Sequence, residues 1–108
     1  MGTGRKDDGV EGGKIKDRWD LLPIECIQDV VKILTFGSIK YGAENWKSLE
    51  NGEDRYYAAL MRHMAANRMG ETIDQESGLS HLSHAMCNIV FLLWFEKHKV
   101  NGEDKRLN

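Results

Sequence analysis

Three of the four histidines, His63, His81 and His84, fall between Met61 and Met86, and the acids Glu71, Asp74 and Glu76 lie among them. At about 100° per residue, His81, His84 and Asn88 sit within about 60° of one another on a helix. Ser77 joins that stripe, and so does Asp74 if the helix begins early. Upstream, Tyr56, His63 and Asn67 share a second helical face, padded by the small Ala59 and Ala66. Two such polar stripes, on helices joined by one short acidic turn, can face each other across a cleft.

Three chemistries suit this set, and spacing leaves all three open. In the first, His81, His84 and Asp74 ligate a metal, with Glu71 or His63 completing the shell. Nitrogen donors favour Mn, Co, Zn or Fe, whereas Mg prefers oxygen. In the second, protonated His81 and His84, Ser77 and the N–H groups of a helix N-terminus hold a phosphate. Arg55, Arg62, Lys40 or Lys47 would then add charge. In the third, the histidines pair with Glu71, Asp74 and Asn88 and tie two helices together. The stretch "KYGAENW" has two readings of its own. Tyr41 and Trp46 could sandwich a base while Asn45 bonds its edge. Alternatively, the two rings close the core beneath a glycine-hinged loop, with Asn45 capping a turn.

Several chemistries are excluded by motif. No histidine is followed by aspartate, and there is no HExxH, no Walker loop and no glycine-rich dinucleotide fingerprint. Glu25 and Asp29 stand four apart on the polar side of a helix and read as a solvated face. Cys26 and Cys87 form no CxxC pair. They read as buried free thiols in a reducing compartment, so the cytoplasm is expected.

The elements that position these residues follow from periodicity. A chain of 108 residues with 41% hydrophobic and 30% charged residues suits one soluble domain with a modest core. A net charge of −2 argues against direct nucleic-acid binding through overall charge. The longest apolar run, Ile89 to Phe95, is too short to span a bilayer. Residues 1–17 are rich in Gly, Lys and Asp and read as a flexible arm, 18–100 as one helical domain, and 101–108 as a frayed tail. The first helix is expected from Pro23 to Phe36, with Ile24, Ile27, Val30, Val31 and Leu34 at helical spacing. Gly37 and Gly42 bracket the loop that follows. The second helix should start at Asn51 or Asp54, end before Gly70, and bury Tyr57, Leu60, Met61 and Met64. The third should run from Asp74 or Ser77 to Lys99, with Leu82, Met86, Ile89, Val90 and Leu93 inward. Its second half is apolar nearly all round, so it must be central or lie in a subunit interface. No run alternates with a strand period. The expectation is an all-α fold, a small bundle of three main helices plus a loop or short helix, completed by homo-oligomerisation.

In order, "DLLP", "KYGAENW", "RYYAALMRH", "GETIDQESG" and "HLSHAMCN" resemble a phage and prophage family, the dATP/dGTP diphosphohydrolase N-terminal domain. That family sits loosely with the MazG-like all-α nucleotide pyrophosphohydrolases, and the resemblance spans about residues 17–97. It implies an oligomer that hydrolyses a purine deoxynucleoside triphosphate to monophosphate and pyrophosphate, with a divalent ion, Mn or Mg, or Co or Zn, activating water. Glu71, Asp74 and Glu76 would be its catalytic acids, and His63, His81 and His84 would complete the metal or phosphate shell. Tyr41, Asn45 and Trp46 would hold the base. MazG-like enzymes carry EExxE on one helix and ExxD on the next. Here Glu71 and Asp74 supply an ExxD at a helix junction, and no EExxE occurs. The alternative is therefore a protein that binds nucleotides without cleaving them, such as a phage sponge for a host signalling nucleotide.

Overall fold

The computed structural model describes residues 10–100 and 103–104, and within them the fold is mostly helical. Three helices form its body: α1 (Ile24–Tyr41), α2 (Gly52–Arg68) and α3 (His81–Lys97). Single 3-10 turns at Trp19–Leu21 and Asn45–Lys47 precede α1 and α2. At the two ends lie two-residue antiparallel pairs. β1 (Val10–Glu11) pairs with β2 (Lys14–Ile15), and β3 (Lys99–Val100) with β4 (Glu103–Asp104). Most of the expected flexible arm and tail lies outside the described residues, but residues 10–15 form the first of these hairpins. No described helix is long and apolar enough to cross a membrane.

Helix α1 outlasts its expected end by five residues. Gly37 is tolerated inside the helix at a cost of about 1 kcal/mol. The true stop is Gly42, whose φ of 97° only glycine adopts easily, and whose N–H donates to the Ser38 carbonyl at 2.9 Å. Asn51 precedes α2 in a left-handed conformation at φ 56°. Glu53 and Asp54 follow in the first turn, where acids offset the helix dipole.

Helix α3 begins later than expected, at His81, with Ser80 as its cap. The Ser80 hydroxyl accepts from the Leu82 N–H at 3.1 Å. Neither Asp74 nor Ser77 starts the helix. The segment between α2 and α3 is instead a tight β-like turn closed by an Ile73–Ser80 bridge. In it, Asp74 N–H donates to the Leu79 carbonyl at 2.8 Å, and His81 N–H donates to the Thr72 carbonyl at 3.0 Å. Gly70 and Gly78 make the bends at positive φ. Extended backbone paired across the turn wins over the local cap preferences of Asp74 and Ser77.

Helix α3 is the central element, and α1 and α2 both pack on it. Its buried residues are His81, Ala85, Cys87, Asn88 and Phe95, joined by Val30 of α1. The expected inward stripes are turned out. Tyr57, Met61 and Met64 of α2 are exposed, as are Leu82, Ile89, Val90 and Leu93 of α3. The reason lies in shape. The opposite face of α2, with Tyr56, Ala59, His63 and Ala66, meets α3, and its small alanines allow close approach. Tyr56 then packs on Phe91 and Phe95, with ring centroids 4.8 and 6.0 Å apart. At Gly52 an added Cβ would lie 3.3 Å from Tyr56 and 3.5 Å from Phe95, so glycine lets the start of α2 sit against this cluster. Lys99 of β3 pairs with Glu53 in the first turn of α2 at 2.9 Å.

Candidate functional site

The α2–α3 turn gathers the histidines and acids that the sequence separates. His81 Nε2 lies 2.6 Å from Glu71 Oε1, and His81 Nδ1 lies 2.9 Å from His63 Nδ1. The His63 ring stacks on His84, with centroids 4.6 Å apart and planes 9° from parallel. His84 Nε2 is 2.7 Å from Ser77 Oγ and 3.3 Å from Asp74 Oδ2. Although α3 starts only at His81, the bridged turn still delivers Asp74 and Ser77 to the stripe on which they were expected. Asn88, one helical turn further on, donates to the His84 carbonyl at 2.9 Å.

Burial and neighbouring groups shift three members of this cluster, His63, His84 and Asp74. Burial pushes the His63 ring below the ordinary imidazole range, and the neighbouring His84 and His81 push the same way. Burial also lowers His84, against the opposing pull of Asp74. At Asp74 burial acts upward, but the Ser77 hydroxyl, backbone N–H groups and His84 outweigh it and hold the carboxyl below its usual range.

The arrangement limits the chemistry. Ser77, His84 and Asp74 have the residue types of a nucleophilic triad but not its geometry. Serine and aspartate both address Nε2, whereas a triad needs the carboxylate at the other nitrogen. In the expected metal set of His81, His84 and Asp74, His84 Nε2 faces Asp74 Oδ2. His81 directs one ring nitrogen to Glu71 and the other to His63. Among the described residues no group of three His, Cys, Asp or Glu side chains is placed to hold a metal ion.

Beside the cluster lies a largely apolar cavity of about 790 Å³ between α1, the Asn45–Lys47 turn, α2 and α3. That is the size of a small-molecule site. Tyr41, Asn45, Trp46, Arg55, His84 and Asn88 all line it, so six residues singled out in the sequence converge on one space. Arg62 is exposed on α2 and does not line the cavity, and Glu76 stays on the turn, where its N–H donates to Asp74 Oδ1 at 3.4 Å. Trp46 is both wall and core. It stacks on Phe91 at 4.5 Å and meets Trp94 and Phe95 edge-on. Lys47 lies over the Trp46 ring at 5.4 Å. Tyr41 is 61% exposed, with Lys40 at 5.1 Å from its ring.

Sequence reasoning left Thr35, Ser38 and Cys87 out of the site, and all three line the cavity. Tyr56, placed by spacing on the stripe with His63, lines it too, and its hydroxyl donates to the Trp46 carbonyl at 2.8 Å, fixing the aromatic turn. Burial pushes the Cys87 thiol up to about 11, so it acts as an inert wall.

Comparison with known proteins gives a consistent picture. A protein of Salmonella phage PMBT28 described as a "dATP/dGTP diphosphohydrolase" is 28% identical over 98 residues, covering 91% of this chain and 33% of its own length. The chain thus spans about a third of the length of that relative. No solved structure shows a significant match. The family described as "dATP/dGTP diphosphohydrolase, N-terminal" matches residues 6–106, nearly the whole sequence, and the chain belongs to that family.

Proposed function

We propose that this chain binds a purine deoxynucleoside triphosphate and takes part in its hydrolysis to monophosphate and pyrophosphate. One observation carries the reading: His84 belongs both to the wall of the cavity and to the histidine–acid cluster, so a ligand in the cavity reaches the cluster's groups. The description of the phage relative as a dATP/dGTP diphosphohydrolase supports the same substrate class. In this reading Tyr41, Trp46 and Asn45 receive the purine, and Arg55, Asn88 and Ser77 face the sugar and phosphates. A neutral imidazole of the cluster takes the proton of the attacking water. A divalent ion, Mn or Mg, would enter on the triphosphate itself, because the described side chains form no three-donor shell of their own. The test is incubation of the purified chain with dATP or dGTP, with and without Mn²⁺ or Mg²⁺, and chromatography for monophosphate and pyrophosphate. Nucleotide bound but recovered intact under every condition refutes hydrolysis by this chain. That result would favour the second reading, a nucleotide-binding protein without turnover, which the absent EExxE supports.

We also infer a homo-oligomer. Helix α1 has 18 residues but buries only Val30, while Phe36 and Ile39 are 58% and 78% exposed. An amphipathic helix gains most of its stability from covering its apolar face. Sedimentation velocity checks this directly, and a monomer at micromolar concentration would overturn it.

A further inference from the structure

Arg55 is the only Lys, Arg, Asp or Glu that lines the cavity. It is exposed and makes no ion pair among the described residues. Lys47, over the Trp46 ring, pairs with Glu44 instead. A cation without a counter-ion on a largely apolar wall favours an anionic ligand. The helix pair fixes where that charge stands. Tyr56 meets Phe91 with ring centroids 4.8 Å apart, and His63 meets His84 at 4.6 Å. Both contacts step along their helices by the interval from Tyr56 to His63 and from His84 to Phe91, so at a rise of about 1.5 Å per residue they lie about 10 Å apart. Arg55 enters beside the first contact, where its charge opposes the upward push of burial on the Tyr56 hydroxyl. His84 stands at the second, with Asp74 Oδ2 3.3 Å away. The cavity therefore runs from a cation at one end to a histidine flanked by an acid at the other.

We propose that Arg55 binds the terminal phosphate of the nucleotide and so makes the site selective for triphosphates over di- and monophosphates. This rests on the reading above, in which the bond between the α- and β-phosphates lies at the histidine–acid cluster. Whatever meets the Arg55 end of the cavity is then about 10 Å from His84, too far to be the α-phosphate itself. The two phosphates beyond it, met by an extended arginine side chain, cover that span. Each phosphate removed shortens the tail and takes negative charge away from the guanidinium. Charge also sets the direction of the tail. Asp74 and Glu76 both act on His84 from the bridged turn, so a chain of phosphates is repelled at that end and drawn toward Arg55. The guanidinium presents a planar fork of N–H donors that matches two phosphate oxygens, a geometry that lysine lacks. Because Arg55 is exposed and outside the core, its substitution changes recognition without disturbing the packing of α2 on α3.

Calorimetry on the full chain with Mg²⁺ tests this, using dAMP and the α,β-methylene analogues of dADP and dATP, which resist cleavage at that bond. The triphosphate analogue should bind about 10-fold or more tightly than the diphosphate analogue, the scale of a charge-assisted contact. Arg55→Met should bring the two to within about twofold of each other, with the melting temperature of the free protein unchanged. Arg55→Lys should fall between, since it keeps the charge and loses the fork. Equal affinity for the two analogues in the unmodified protein, or a ratio unchanged in Arg55→Met, overturns the assignment and leaves the nucleotide reading standing. The α,β-methylene analogue of dGTP separates phosphate from base. A preference for it over the dATP analogue that Arg55→Met abolishes, at an unchanged tri- to diphosphate ratio, would put the guanidinium on the guanine edge and overturn the assignment as well. The expected ratio without turnover of dATP upholds the recognition by Arg55 and removes hydrolysis alone. Binding of none of these ligands refutes the nucleotide reading and this assignment with it.

Discussion

Replacing Tyr56 by Phe should separate the anchoring of the aromatic turn from the packing behind it. The hydroxyl donates at 2.8 Å to the Trp46 carbonyl, while the ring stays wedged between Phe91 and Phe95. Tyr56→Phe removes one hydrogen bond and leaves the ring contacts intact. A net hydrogen bond contributes about 1 kcal/mol. Unfolding entropy of about 2.1 cal/mol/K per residue gives roughly 0.23 kcal/mol/K for a chain of 108 residues. The melting temperature should therefore fall by about 4 °C. The turn also carries Asn45 and Trp46 to the cavity wall, so dATP affinity measured by calorimetry should weaken, by no more than about fivefold if the same free energy is spent on re-ordering the turn. An unchanged melting temperature would mean that the bond does not hold the turn. A loss beyond about 10 °C would mean that the ring packing had changed as well, and the separation would fail.

Gly52→Ala places a Cβ 3.3 Å from Tyr56 and 3.5 Å from Phe95, so overpacking should outweigh any gain in helix propensity and cost about 1 kcal/mol in a urea titration; a more stable variant would contradict this. His63 and His84 have folded pKa values depressed below the ordinary 6.5, so the unfolded chain takes up protons first as pH falls. Their contribution is present above the unfolded value and lost as pH falls through the folded ones, so melting temperature should drop below about pH 6.5, and His84→Asn should flatten that drop. Asp74, also depressed, contributes above its unfolded value of 3.8 and loses that contribution as pH falls further, a second step that Asp74→Asn should remove. Ellman's reagent should label the exposed Cys26 promptly and reach the buried Cys87 only in denaturant, with two fast thiols in the folded protein as the contrary result.

The sequence disclosed more about partners than about direction. Helical spacing correctly grouped His81, His84 and Asn88 on α3 and set His63 opposite them, because those residues lie on regular helix where 100° per residue holds. What spacing missed was the turn. Asp74 and Ser77 look like caps from their side chains, yet the Ile73–Ser80 bridge, a backbone pairing with no sequence period, moves the start of α3 to His81. His81 then stands between Glu71 and His63, with one ring nitrogen toward each. The buried faces were misread for a related reason. Hydrophobicity selected Tyr57, Met61 and Met64, but close packing selected the alanine face beside Tyr56 and His63. Trp46 was legible as an aromatic of the cavity, but its stacking on Phe91 depends on a tertiary contact that no local pattern encodes.

The bridged turn also divides the molecule into portions that can change at different rates. Every residue of the histidine–acid cluster comes from the stretch between His63 and His84, one continuous hairpin whose contacts are local in the chain. Such contacts close small loops and form early in folding. The outer wall of the cavity instead comes from α1, through Val31, Leu34, Thr35, Ser38 and Tyr41, which reach it only by long-range docking on α3. Substitutions on that face of α1 can therefore reshape what the cavity accepts while the histidine–acid hairpin keeps its geometry.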